Sequence, residues 1–252
     1  MGYEKLTDEA IRRIRAYYYG NISLIDEWIG RILGALEENG LREDTVVLLT
    51  ADHGDLLGDH GLLWKCEHAM YDPSVRVPFI VSGGGFSGGL VRNEFVQSVD
   101  IFPTFLELGG LDVPYQIQGR SLLDLLNGDS KGWRDAAFSE GRGLQTKEEV
   151  VEGQMDLSVV MIRTGRWKYI FFREDEDLCE LYDLDNDPNE LKNLAGCGEY
   201  VKLTAELRER ILLWRFDSQR PLHGQVCKTF KEQMSRPATT GRGDKDITWA
   251  KP

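Results

Sequence analysis

The side chains best suited to chemistry lie between residues 52 and 65. Asp52 and His53 stand together directly after a short apolar run, and Lys65 follows a little further on. A carboxylate suits a hard cation, and an imidazole can add a nitrogen ligand or a hydrogen bond to substrate. A lysine ammonium is a point charge with three donors, which suits an oxyanion. The three residues therefore predict a site that holds a divalent metal and binds an anionic group.

Five further polar residues surround this group. His60 and His68 could each serve as a general acid, because an imidazole titrates near neutrality. The alternative for both is a surface or loop-bracing histidine, and this alternative is favoured. Asp55 and Asp59 are expected to accept hydrogen bonds from backbone donors of the loop. Arg76 is expected to pair with an acidic neighbour rather than to contact substrate.

Two elements are predicted to position the site. Residues 45–51 are apolar and rich in β-branched side chains without alternation, which predicts that 46–51 form an interior strand of a parallel sheet. Open α/β sheets bind ligands at the carboxyl ends of their strands, where Asp52 and His53 would stand. Apolar steps of three and four predict an amphipathic helix over 8–39, capped by Thr7. Its part from Ile22 to Leu36 is expected to pack on the strand.

The remainder of the chain predicts a covering layer and a second unit. Short helices are expected at 100–108 and 121–127, a β-hairpin at 159–172, a strand at 180–184 and a closing helix at 203–214. Strands followed by a helix favour a small antiparallel α+β subdomain. The predicted division is an α/β region at 1–135, this subdomain at 136–216 and a polar tail at 217–252.

The order of these motifs resembles the sulfatase family of the alkaline-phosphatase superfamily. The matching residues are T-A-D-H-G-D at 50–55, G-D-H-G at 58–61, Lys65 and R-V-P at 76–78. The run R-W-K-Y at 166–169, with L-Y-D-L at 181–184 and D-P-N-E at 187–190, is similar to the family's C-terminal subdomain. The resemblance covers roughly residues 10–216.

This resemblance implies a fold and a set of roles. The fold is an alkaline-phosphatase-like, mostly parallel sheet flanked by helices, followed by a small antiparallel subdomain. Asp52 and His53 correspond to the pair that closes a divalent metal site, usually calcium, and His53 also to a substrate contact. Lys65 corresponds to the lysine that contacts the sulfate group. The implied activity is hydrolysis of a small-molecule or saccharide sulfate ester.

The nucleophile of that family is not found in the sequence. Sulfatases carry a C/S-x-P-x-R motif whose first residue becomes formylglycine. None of the four cysteines has a proline two positions later, namely Cys66, Cys179, Cys197 and Cys227. Cys66 adjoins Lys65, but sequence adjacency is not a catalytic geometry. The family's acidic metal ligands near the amino terminus are also not identified, so we expect a carboxyl-terminal half that is inactive alone.

The composition excludes some classes of function but does not identify one. A net charge of −12 argues against a nucleic-acid or anionic-membrane surface. No apolar run approaches the ~20 residues of a membrane span. Three functions stay open: a sulfate ester hydrolase, a phosphonate or phosphate ester hydrolase of the same superfamily, and a truncated module that binds anions without turnover. The sequence does not indicate the compartment, the metal or the alcohol half of the substrate.

Overall fold

The computed structural model describes residues 6–65, 69–86, 88–141, 159–173 and 175–218. The chain divides into two compact units, residues 1–214 and 215–252, and only 215–218 of the second unit are described. The predicted polar tail at 217–252 therefore lies almost entirely outside the described residues. None of the helices in the described ranges combines the length and hydropathy of a transmembrane span.

The first element, helix α1 (Asp8–Glu38), confirms the helix prediction but not its packing. Thr7 accepts a hydrogen bond from the Ala10 amide through Oγ1 (3.2 Å), as expected of an N-cap. No residue of α1 is buried. Its apolar stripe is about half exposed in the part expected to pack, with Ile22 at 47%, Ile25 at 57% and Ile32 at 59%. The prediction that the stripe packs on the following strand is therefore wrong.

Strand β1 (Val47–Thr50) falls where the apolar run predicted, but its pairing differs. It pairs antiparallel with strand β2 (Phe79–Ser82), in register Leu48 to Val81. Among the described residues β1 has no other partner, so the predicted parallel pairing is wrong there. Parallel neighbours need a crossover of a dozen or more residues, usually a helix. The described residues of the connection between β1 and β2 hold a 3-10 turn (Asp59–Gly61) and the one-turn helix α2 (Asp72–Val75), and the connection reverses the chain direction.

One face of this two-stranded sheet is covered. Val46 and Leu48 with Phe79 and Val81 face helix α3 (Ile101–Leu108) across a small apolar void. The opposite face carries Ile80, which is 55% exposed. The four residues of β1 are all half-buried, so neither face of the apolar run is fully buried.

Buried Asp100 fastens the segment before α3 to the rest of this layer. Its carboxylate accepts hydrogen bonds from the amides of Gln97 and Arg120, each at 2.8 Å. Arg134 donates two more from its guanidinium, each at 2.7 Å. Asp100 thus forms a buried ion pair with Arg134 at the start of the helix predicted at 100–108. These bonds hold residues 97–100 against residues 120 and 134, and the short helix α4 (Leu123–Leu126) lies between the last two in sequence.

The core lies in a four-stranded antiparallel sheet. Its order is β3 (Ala136–Gly141), β4 (Val159–Thr164), β5 (Trp167–Phe172) and β6 (Glu180–Asp183). The predicted hairpin is confirmed as β4 and β5, paired with Ile162 opposite Tyr169. Helix α5 (Val201–Ser218) contains the closing helix predicted at 203–214, and it buries Leu207 and Ile211. The predicted boundaries at 135 and 216 stay predictions.

Candidate active site

Asp52 and His53 occupy the loop that leaves the carboxyl end of β1. The Asp52 side chain is 84% exposed, and its Oδ2 lies 3.5 Å from His53 Nε2. Asp52 Oδ1 accepts a hydrogen bond from the His53 amide at 3.0 Å. The two side chains are therefore neighbours at a strand end, as the sequence predicted.

The hydrogen bond of the His53 ring decides which nitrogen can bind a cation. His53 Nδ1 lies 2.9 Å from the Gly54 carbonyl oxygen. A carbonyl only accepts, so Nδ1 is the protonated nitrogen of the neutral ring. The lone pair then resides on Nε2, on the side of the Asp52 carboxylate. This arrangement turns one nitrogen and one carboxylate toward a shared position.

Lys65 is tied to the beginning of the same loop through its backbone. Its amide donates a hydrogen bond to Asp55 Oδ1 at 3.1 Å, so Asp55 satisfies a backbone donor as predicted. Between them, the Gly58 amide donates to the Leu62 carbonyl (2.7 Å), and Leu56 is fully buried. The loop is thereby closed at its base, with Lys65 exposed on it. Convergence of the Lys65 ammonium with Asp52 and His53 stays a prediction.

Gly54 sets how closely the next segment approaches the loop. Its amide donates a hydrogen bond to the Ser74 carbonyl at 2.7 Å. A Cβ at position 54 would lie 2.0 Å from the Pro73 carbonyl oxygen, far inside van der Waals contact. Only glycine allows residues 73–74 to lie against the loop at this distance. The glycine of the D-H-G triplet is therefore a packing requirement.

Replacing Gly54 with alanine is expected to lower the free energy of unfolding by about 1–3 kcal/mol, because backbone must move to admit the methyl group. Chemical denaturation of the purified chain measures this change. Gly165→Ala is the matched control, since a Cβ there meets nothing within 4 Å. We expect the control to change stability by less than about 0.5 kcal/mol. Equal effects of the two substitutions would contradict the packing role.

The surrounding candidates have mixed outcomes. Asp59 was expected to accept from the backbone, but it pairs with Arg15 of α1 at 3.0 Å. Arg15 also donates a hydrogen bond to the Leu57 carbonyl at 2.7 Å. Sequence reasoning missed the role of Arg15 because 42 positions separate it from Leu57. His60 stacks on Tyr71, with ring centroids 3.7 Å apart, which is a bracing role.

Arg76 has the acidic neighbour that was predicted for it. Its NH1 lies 3.9 Å from Asp72 Oδ2, a long separation, and its side chain is 81% exposed. The guanidinium therefore remains available to other groups. Cys66 and His68, the other two candidates in this region, lie outside the described residues.

A buried charge cluster connects this region with the four-stranded sheet. Lys168 of β5 is fully buried, and its Nζ contacts Asp72 Oδ1 and lies 2.5 Å from Glu190 Oε1. The ammonium also donates to the Met70 carbonyl at 3.1 Å, and Glu190 Oε2 accepts from the Asp72 amide at 2.7 Å. Burial raises the pKa of Glu190, and the Lys168 charge opposes that rise. The cluster thus joins α2, β5 and the turn at 187–190.

The donors present fit a divalent metal as part of its ligand set. Asp52 and His53 supply one carboxylate and one imidazole nitrogen, 3.5 Å apart and accessible. Calcium takes about six to eight ligands, mostly oxygens. In the described part of the chain no group of three or more histidine, cysteine or acidic side chains could hold a metal by itself. The pair therefore fits as two ligands of a larger set.

Two family models match the chain. The model described as Sulfatase matches residues 2–111, and the model described as N-sulphoglucosamine sulphohydrolase, C-terminal, matches residues 58–217. The second covers more than half of the chain. The two matches overlap at residues 58–111, which contain α2, β2 and α3.

Similar proteins were found by sequence and by structure. Arylsulfatase K of Mus musculus is 35% identical over 208 residues, which are 82% of this chain and 36% of the mouse protein. The phosphonate monoester hydrolase of Agrobacterium radiobacter is 34% identical, with a TM-score of 0.75 over 85% of this chain and 43% of that one.

A third similar protein was solved with its substrate, D-glucosamine-2-N,6-O-disulfate. It is 27% identical, with a TM-score of 0.63 over 88% of this chain and 50% of that one. The chain thus spans half or less of the length of each of these three proteins.

Proposed function

Because this chain belongs to the sulfatase family of the alkaline-phosphatase superfamily, we propose that it supplies Asp52, His53 and Lys65 to the active site of a sulfate ester hydrolase. The observation that supports this best is the orientation of His53. Its Nδ1 is occupied by the Gly54 carbonyl, and its Nε2 lies 3.5 Å from Asp52 Oδ2. The pair is ready to ligate, at a strand end where ligands of this fold class bind.

In this proposal Asp52 and His53 hold a divalent metal, and calcium is the ion we propose. When bound, the metal supplies positive charge that stabilises negative charge on the sulfate oxygens. Lys65 places its ammonium against another sulfate oxygen, and its position on the loop is fixed by the Asp55 carboxylate. The printed sequence contains no C/S-x-P-x-R motif, so the attacking formylglycine is not among these residues.

The wider architecture is also a proposal. We propose that β1, β2 and α1 belong to a larger fold of the alkaline-phosphatase type with a mostly parallel sheet, in which Ile80 of β2 and the half-exposed stripe of α1 are covered. The exposed apolar side chains on both elements support it, since exposed patches of this kind mark interaction surfaces. The division at 1–135, 136–216 and 217–252 is part of the same proposal.

Binding of 4-nitrophenyl sulfate to the purified chain tests the site. We expect Lys65→Ala to weaken binding by about 10- to 150-fold, since a hydrogen bond to a charged group contributes about 1.5–3 kcal/mol. A chelator should weaken wild-type binding, and Asp52→Ala should remove the chelator's effect. Lys202→Ala is the control, because Lys202 is 91% exposed and 3.9 Å from its nearest acid. Calorimetric affinities that do not change in Lys65→Ala would contradict the proposal.

A second candidate is hydrolysis of phosphonate or phosphate monoesters. The solved phosphonate monoester hydrolase with a TM-score of 0.75 favours it, because Asp-His with a following lysine suits a phosphoryl group equally. The same titration with 4-nitrophenyl phosphate distinguishes the two candidates. Tighter, Lys65-dependent binding of the sulfate ester supports sulfate hydrolysis, and the reverse preference supports the alternative. The third possibility, an anion-binding module without turnover, predicts binding but no hydrolysis.

A further inference from the structure

A cleft of about 680 Å³ lies between the loop that carries Gly58 and the turn that carries Glu190. This volume is within the ~300–1,000 Å³ typical of small-molecule sites. The cleft is lined on one side by Gly58, Asp59, His60, Asp72, Pro73 and Arg76. Residues 188–191 line the other side. None of these residues has a role in the site proposed above.

The cleft adjoins the proposed metal ligands. Pro73 lines it, and the Pro73 carbonyl packs directly on Gly54, which follows His53. The hydrogen bond from the Gly54 amide to the Ser74 carbonyl (2.7 Å) fixes this neighbourhood. One wall of the cleft is therefore packed against the residue that follows His53.

Backbone strain is concentrated around the same cleft. Among the described residues, three non-glycine residues have a positive φ: Leu57 (48°), His60 (53°) and Glu190 (58°). His60 and Glu190 line the cleft, and Leu57 precedes Gly58. Such conformations are uncommon for non-glycine residues and cluster at ligand sites. Here the His60–Tyr71 stack and the contact of Glu190 with Lys168 hold two of them in place.

Among the described charged residues that line the cleft, one cation, Arg76, is available to contact a ligand. Asp59 is paired with Arg15, and Asp72 and Glu190 share Lys168. Arg76 lies 3.9 Å from Asp72, and its side chain is 81% exposed. A guanidinium is suited to bidentate contact with a carboxylate or a sulfate. Asn189, also exposed, adds an amide that can bond hydroxyl groups.

We infer that this cleft binds the alcohol half of the substrate, and that Arg76 recognises a second anionic group on a sugar ring. The inference rests on the proposed function for the location of the ester that is cleaved. The anionic group is a carboxylate or a second sulfate. Asn189 and the ring of His60 provide the neighbouring hydrogen-bonding groups for the sugar.

The test compares two sugars by calorimetry on the full 252-residue chain with calcium present. D-Glucosamine-2-N,6-O-disulfate carries two anionic groups, and N-acetylglucosamine 6-sulfate carries one. Wild-type protein is expected to prefer the disulfate about tenfold, and Arg76→Ala should reduce that ratio to about one. Lys202→Ala is the control, as the Lys202 side chain is 91% exposed and its ammonium, like the Arg76 guanidinium, lies 3.9 Å from an acid four positions away. A glucuronate 2-sulfate probe gives the carboxylate arm of the same comparison.

Two further variants separate this inference from the proposed function. Lys65→Ala should weaken both sugars alike, whereas Arg76→Lys should retain part of the disulfate preference because it keeps the charge. If Lys65→Ala has no effect, the sulfate site is wrong. If Lys65→Ala acts as expected but Arg76→Ala leaves the ratio unchanged, only the cleft assignment is overturned. Failure of the chain to bind either sugar overturns both.

Discussion

Replacing Lys168 with methionine should lower the free energy of unfolding by about 3–5 kcal/mol, the cost of leaving buried charge unpaired. Lys168 is fully buried and contacts both Asp72 and Glu190, of which Glu190 is also fully buried. Without the ammonium, two carboxylates face each other in a region shielded from water. Denaturant unfolding of the purified chain measures the loss.

The pH dependence of the variant tests the cause. Burial raises the pKa of Glu190, and in Lys168→Met the opposing charge is gone, so this pKa should rise further. A raised folded-state pKa gives stability that is present at low pH and lost as the pH rises through it. The deficit of Lys168→Met should therefore be smaller at pH 5 than at pH 8.

Two controls accompany this experiment. Lys202→Met removes an exposed lysine and should change stability by less than about 0.5 kcal/mol. Adding Asp72→Asn and Glu190→Gln to Lys168→Met should recover part of the loss, because neutral amides cost less to bury than charges. A deficit that is independent of pH, with no recovery in the triple variant, would contradict the electrostatic explanation.

Sequence reasoning located the elements because their signals are local. The periodicity of α1, the hairpin of β4 and β5, and the position of Asp52 after β1 all depend on residues close in sequence. The Lys168 cluster could not be found in this way. Lys168 is 96 positions from Asp72, and in sequence it is a polar residue in an apolar strand. Only the fold shows that it is buried and paired.

The errors of the sequence prediction at α1 and β1 concern packing partners rather than the elements themselves. An apolar stripe shows which side of α1 avoids water, but it does not say what covers that side. The apolar run of β1 likewise predicts full burial on both faces, whereas all four residues of the strand are only half-buried. Packing partners are set by the chain's route, and the reversal between β1 and β2 has no sequence periodicity of its own.

The 252-residue chain is expected to hydrolyse aryl sulfates no faster than a control protein. Asp52, His53 and Lys65 can bind and polarise a sulfate, but attack at sulfur needs a positioned nucleophile. No cysteine or serine of the sequence lies in a C/S-x-P-x-R motif. When catalytic residues act as a unit, loss of the nucleophile alone removes on the order of 10⁶ in kcat. Binding without turnover is the expected behaviour of this constellation.

The measurement is release of 4-nitrophenol from its sulfate ester by purified protein, with calcium present and after chelation. Lys65→Ala and Lys202→Ala are assayed beside the wild-type chain. Equal background rates in all samples, together with Lys65-dependent binding of the ester, would agree with the prediction. Calcium-dependent turnover that Lys65→Ala abolishes and Lys202→Ala leaves intact would mean that a nucleophile resides within these 252 residues. Cys66 and His68, on either side of Glu67 and close to Lys65, would then be the first residues to substitute.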